Sequence, residues 1–110
     1  MLCARAYQAP VACIDTQAEK LLWVAQDKGI EGLGGDRVHV FGADADGRVR
    51  AWLGQTGQLT WTNEKLLFRN LSAPTAWADS VALGDSSGKL FFLKPTTGCI
   101  VARSISTFLI

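Results

Sequence analysis

The residues able to do chemistry are few and scattered. His39 is the single histidine of the chain, and the cysteines are Cys3, Cys13 and Cys99. His39 lies in the apolar run Val38-His39-Val40 without a paired acid or nucleophile, so it reads as a structural histidine rather than a base. Asp44-Ala45-Asp46-Gly47 has the outline of a calcium loop. A full loop places a further acidic residue two before Asp44, where Gly42 stands, and no glutamate follows at the right distance. A hairpin with Asp-Gly at its tip is the simpler reading. Gly32–Gly35 and Ser86-Ser87-Gly88 are not phosphate loops, because neither Gly-Lys-Ser/Thr nor a strand-to-helix setting follows. An odd number of cysteines at unrelated spacings is no disulfide framework. Each lies in an apolar stretch and reads as a buried thiol. Arg5, two residues from Cys3, is a basic neighbour of the kind a reactive thiol needs. No catalytic, cofactor-binding or metal-binding set is expected from these residues.

Composition narrows the function classes. The 110 residues are 48% hydrophobic and 19% charged, with a formal net charge of +1, which excludes a disordered chain. With charge this even and no run of like charges, Trp52, Phe91 and Phe92 are better read as strand residues of a core than as base-stacking platforms, and no nucleic-acid partner is expected. No apolar run is long enough for a membrane-spanning helix. A signal peptide needs an apolar core of about 7–15 residues after a basic start. Arg5 and Gln8 interrupt such a core, so Met1 onwards reads as no leader, Cys3 as no acylation site, and a complete chain as cytoplasmic. Eleven glycines against three prolines favour many tight turns.

The elements that must carry these residues are repeated. Windows of 13 residues beginning at Val11, Val49 and Leu90 align without a gap, 38 and then 41 residues apart, a period typical of propellers and solenoids. Each window reads as strand, polar turn, strand. Thr56-Gly57 and Thr97-Gly98 mark two of the turns, where glycine supplies a positive φ without steric cost. Ala18-Glu19 takes that place in the first window, so its turn must adopt another form or bear strain. Trp23 and Trp61 end the motif in the same phase, where an indole can cover the flank of the next sheet. Ala102 holds this place in the third window.

The preceding segments also correspond. Aligning Val38 with Val81 leaves two extra residues in the earlier copy, read as a bulge or longer hairpin around Phe41-Gly42. The expected strands are Leu2–Gln8, Val11–Asp15 and Lys20–Ala25; then Ile30–Gly35, Arg37–Ala43, Arg48–Leu53 and Gln58–Asn63; then Leu71–Ala78, Ser80–Gly84, Lys89–Lys94 and Cys99–Ser106. These eleven strands make an all-β fold: four-stranded antiparallel blades of a β-propeller, a little under three of them, in blade portions of about 1–26, 30–64 and 66–106. Closed propellers have at least four blades, so the end blades are expected to present apolar faces open to self-association.

Ala51-x-Leu53-x-x-Thr56-Gly57-x-x-x-Trp61 resembles the pyrroloquinoline-quinone-type propeller repeat, with Leu53 where aspartate is usual and Asp15 keeping it in the first copy. Arg69-Asn70-Leu71-Ser72-Ala73-Pro74, Val81-Ala82-Leu83-Gly84-Asp85-Ser86-Ser87-Gly88-Lys89-Leu90 and Val101-Ala102-Arg103 resemble the late blades of the BamB family, as do Ala6-Tyr7-Gln8 and Val11–Asp15. The resemblance implies a non-enzymatic, lipid-anchored scaffold with an eight-bladed propeller at the periplasmic face of the bacterial outer membrane. Such a scaffold binds the barrel-inserting subunit BamA and takes no cofactor. Its contact with the membrane is indirect, through a lipid anchor with no counterpart in these residues, and no partner-binding residue carries over. A blade fragment of a quinone-dependent dehydrogenase, and a truncated propeller remnant without activity, are the competing readings.

Overall fold

Alternating apolar residues, broken by Asp, Thr and Gly at turn spacing, build strands joined by turns. The computed structural model describes residues 2–4, 11–15, 17–25, 30–77 and 79–105, and among them no helix occurs. The strands are β1 (Leu2–Ala4), β2 (Ala12–Asp15), β3 (Lys20–Val24), β4 (Ile30–Gly35), β5 (His39–Asp44), β6 (Val49–Leu53), β7 (Leu59–Asn63), β8 (Thr75–Trp77), β9 (Ser80–Gly84), β10 (Lys89–Leu93) and β11 (Ile100–Ile105). They pair in three antiparallel sheets, β1-β2-β3, β4-β5-β6-β7 and β8-β9-β10-β11, each a meander in chain order. These are propeller blades in series, the fold class expected from the repeat.

Two cores hold the sheets together. Val11, Cys13, Trp23 and Ala25 of the first sheet meet Ile30, Val40 and Trp52 of the second. Phe41, Ala43, Val49, Ala51, Trp61 and Leu66 meet Val81, Leu83, Phe91 and Leu93 of the third. The middle sheet is therefore covered on both faces, and β5 is buried from His39 through Ala43. In β9 one face alone is covered, so burial alternates, with Val81 and Leu83 inward.

One irregularity recurs at the same repeat position. The register slips between Cys13 and Ile14 opposite β3, between Ala51 and Trp52 opposite β7, and between Phe92 and Leu93 opposite β11. The extra residue is Leu22, Thr60 or Val101, the one just before Trp23, Trp61 or Ala102 in each case. A bulge re-aims the side chain beside it, and here it turns two of the three positions towards the following sheet with an indole.

Several sequence expectations need correction. The β5–β6 pairing is regular from His39↔Leu53 to Ala43↔Val49, with no extra residues at Phe41-Gly42. Val40, which pairs with Trp52, is the counterpart of Val81, which pairs with Leu93. Val38 instead lies before the strand, because the Asp36 carboxylate accepts the backbone N–H groups of Val38 and His39 and delays β5 to His39 rather than Arg37. β8 begins at Thr75 rather than Leu71, because Ser72 N–H is donated to the Gly84 carbonyl and Pro74 has none to give. Residues 5–8 of the first expected strand and Ala78 of the eighth lie outside the described residues.

The cysteine reading is also overturned. Cys3 and Cys13 are directly opposite in the β1–β2 register and are joined by a disulfide. Cys99 is an exposed free thiol, since it follows Gly98 in a turn instead of occupying a strand face. The odd count concealed one local pair that strand register brings together. Thiol titration of the unfolded, unreduced protein should give one reactive thiol and reduction should give three. Peptide mapping without reductant should recover the segment holding Cys3 linked to that holding Cys13; three thiols before reduction would contradict the bond.

Candidate functional site

The repeat places its recurring tryptophans and turn glycines at the seams between sheets. Trp23 lies over Gly57: a Cβ built there would stand 2.5 Å from the indole. Trp61 lies over Gly98 in the same way, at 2.3 Å. Gly57 and Gly98 have φ of +77° and +76°, so the left-handed turn and the close ring both call for glycine. The indole Nε1–H of Trp23 is donated to the Gly54 carbonyl at 2.7 Å, and that of Trp61 to the Pro95 carbonyl at 2.7 Å. Each ring thus buries its body and satisfies its polar atom in one turn of the next sheet. The Thr56 and Thr97 hydroxyls stay within their own turns, accepting N–H from Gln58 and Cys99 at 3.3 Å. The structure brings together Trp23 with Gly57 and Trp61 with Gly98, and leaves Thr56 and Thr97 exposed on the turn surface.

Some contributors carried no sequence signal of their own. Asn63 is buried and spans the second seam, donating its Nδ2–H to the Gly98 carbonyl at 2.7 Å while its Oδ1 accepts the Lys65 N–H. Its position two residues after Trp61 was the available clue. Glu19 adopts φ +54°, the left-handed turn that glycine takes in the other two copies. The first turn therefore keeps the shared form and bears the strain of a side chain there, about 1–2 kcal/mol for an L-residue.

Asp36, Asp44 and Asp85 are committed to turns. Asp44 Oδ1 accepts N–H from Asp46 and Arg48, and its other oxygen takes the Arg50 guanidinium at 3.1 Å. Asp85 repeats this one blade later: Oδ1 accepts the N–H and hydroxyl of Ser87 and the N–H of Lys89, and Oδ2 takes Arg69. The Ser87 hydroxyl foremost, with the Lys89 and Ser87 N–H groups and Arg69, holds the Asp85 carboxyl down to about 2 against the opposing effect of burial. Arg69 also stacks on Phe91, so the Arg69–Pro74 stretch pins the β9–β10 hairpin. At Asp36 burial pushes upward, but the N–H groups of His39 and Val38 and the His39 ring outweigh it and hold the carboxyl below its ordinary range. His39 thus has an acidic partner that the sequence reading did not give it, at 3.3 Å, and the ring stacks on Phe41 within the fold. Among the described residues no group of three or more His, Cys, Asp or Glu is placed to hold a metal ion. Asp36, Asp44 and Asp85 do not fit a calcium-bound quinone, because their oxygens already receive turn N–H groups and, in addition, the His39 ring, Arg50 and Arg69 respectively.

The outer faces of the first and third sheets are apolar and open. Leu21 and Val24 are exposed on one, Leu90 and Trp77 on the other, and Trp77 packs its ring 5.7 Å from that of Phe92. A groove lined by Arg37, Val38, Leu53, Gly54, Gln55 and Thr56 runs beside the first seam.

Meander sheets in series, joined by indole-on-glycine seams through Thr-Gly turns, define a propeller of the quinone-enzyme repeat type. The chain belongs to the outer membrane protein assembly factor BamB family, whose model matches residues 1–63. BamB of Burkholderia pseudomallei is 33% identical over 101 residues, 92% of this chain and 26% of that protein. The BamB crystal structure from Moraxella catarrhalis superposes with a TM-score of 0.86 at 27% identity, covering 94% of this chain and 32% of that one. A quinohemoprotein alcohol dehydrogenase from Comamonas testosteroni superposes at 0.71 with 20% identity, which shows a shared fold alone. The chain spans about a quarter of the length of the curated relatives it matches.

Trp61→Ala should cost about 3–5 kcal/mol in a denaturant titration, as for other buried aromatics cut to alanine; a loss under about 1 kcal/mol would place the ring outside the seam. Because the folded Asp85 carboxyl titrates near 2, below its ordinary 3.8, its stabilising effect is complete above about pH 4 and disappears as pH falls through 2. Ser87→Ala should raise the Asp85 midpoint seen by carboxyl NMR, and acid unfolding should begin at higher pH. An unchanged midpoint would remove Ser87 as the main cause.

Proposed function

We propose that this chain acts as a non-catalytic docking scaffold in the assembly of outer-membrane β-barrel proteins, holding a BamA-like barrel-inserting subunit. The observation that carries the reading is the superposition on BamB over nearly the whole chain at 27% identity, with both seams formed. In this reading the blade portions of about 1–26, 30–64 and 66–106 are kept in series by Trp23 on Gly57 and Trp61 on Gly98, while Thr56 and Thr97 brace the receiving turns from within. Exposed turns and edge strands suit docking of an extended partner segment, because backbone hydrogen bonds supply affinity without a dedicated pocket. The turn-bound carboxylates support a binding role over an acid–base one. The Cys3–Cys13 disulfide favours an oxidising compartment, as at the periplasmic face of the outer membrane.

The test is retention of this chain on immobilised soluble periplasmic domains of BamA at micromolar concentration. Binding should be saturable and lost with Trp61→Ala, which loosens the seam. No retention of a folded chain would contradict the scaffold reading. Quinone absorbance in the purified protein with alcohol-dependent dye reduction would replace it with an oxidoreductase.

A further inference from the structure

The connection from β7 to β8 holds a large apolar side chain where nothing in the fold uses it. Phe68 is 81% exposed, more than any other large hydrophobic among the described residues, and no ring of the described residues stacks on it. Its backbone is left-handed, with φ +62°, and Asn70 two residues on has φ +52°. Asn tolerates that conformation, whereas a bulky aromatic residue is strained by it. The fold nevertheless fastens the segment on both sides. Leu66 is buried in the core between the second and third sheets. Phe68 donates its N–H to the Asp46 carbonyl at 2.8 Å, and the loop lies so close that a Cβ on Gly47 would stand 2.5 Å from the Leu66 carbonyl oxygen. On the other side the Arg69 carbonyl accepts the Ser86 N–H, and the Arg69 guanidinium binds Asp85 and stacks on Phe91. The turns that bracket the loop, Asp44–Gly47 and Asp85–Gly88, belong to the two sheets it connects, so its immediate neighbours on both sides are in place. The ring is thus held outward by a pinned loop.

We infer that Phe68 is an anchor residue that inserts into an apolar cleft of a folded protein partner; for the identity of that partner the inference rests on the scaffold reading above. Backbone strain that the surrounding contacts enforce is a mark of functional segments. A rigid aromatic side chain presented to solvent is the kind of group that dominates the energy of a protein interface once a pocket desolvates it. The charges around the loop select the occupant. Asp44 is paired with Arg50, Asp46 and Glu64 with Arg48, and Asp85 with Arg69. These carboxylates disfavour an anionic lipid surface. Being paired within the chain, they also need no ion partner across an interface, so the contact gains chiefly from burying the ring and depends little on salt.

Titration calorimetry of the full chain with the soluble periplasmic domains of BamA, beside urea unfolding of each variant, tests this. Phe68→Asn should weaken binding at least about tenfold, while its unfolding midpoint stays the same or rises, because Asn accepts the left-handed backbone more readily. Phe68→Tyr should bind like the wild type. Wild-type binding that Phe68→Asn leaves unchanged would overturn the inference and leave the scaffold reading intact. No binding by the folded wild type would overturn that reading and this anchor with it. A clearly lower unfolding midpoint for Phe68→Asn would make the ring a structural element and overturn the inference. Cosedimentation with phosphatidylethanolamine–phosphatidylglycerol vesicles that Phe68→Asn abolishes would assign the ring to a lipid surface, and would overturn it too.

Discussion

The arrangement depends on a glycine that has no Cβ to place where an indole already lies. At Gly57 and Gly98 the backbone turns left-handed and presents its Cα to the ring of Trp23 or Trp61, while a carbonyl of the same turn takes the indole N–H. Burial of the ring and satisfaction of its polar atom are thereby solved by one turn. The bulge just before each tryptophan aims it, so the seam is prepared by a backbone irregularity in one sheet and a backbone conformation in the next. Stacking of this kind is nearest-neighbour, and each sheet leans on the ones before and after it.

Carboxylates make the second layer of support. Asp36, Asp44 and Asp85 each gather two or three N–H or O–H donors at the start of a hairpin, and Arg50 and Arg69 neutralise two of them. This use of charge fixes where strands begin. It also commits the oxygens of these three acids to turn N–H groups, to the Ser87 hydroxyl and to Arg50, Arg69 or the His39 ring.

Much of the fold was legible in the sequence because period and turn chemistry are local. Windows 38 and 41 residues apart, Thr-Gly pairs and recurring tryptophans located eleven strands and both indoles. What escaped depends on pairing. The Val38 misalignment came from counting residues without the Asp36 turn, which removes Val38 from β5. The Cys3–Cys13 bond follows from a hairpin register that spacing does not state. Asn63 was missed because its partner, the Gly98 carbonyl, is on another sheet. Glu19 kept a glycine's φ because the turn is set by its surroundings more than by its own residue type.

Proton NMR tests the indole-on-glycine seam most directly. The Hα protons of Gly57 and Gly98 should be shifted well upfield by ring currents, with nuclear Overhauser contacts to the Trp23 and Trp61 rings and with both indole N–H protons slow to exchange. Random-coil Hα positions, or indole protons exchanging at the rate of free tryptophan, would contradict the account.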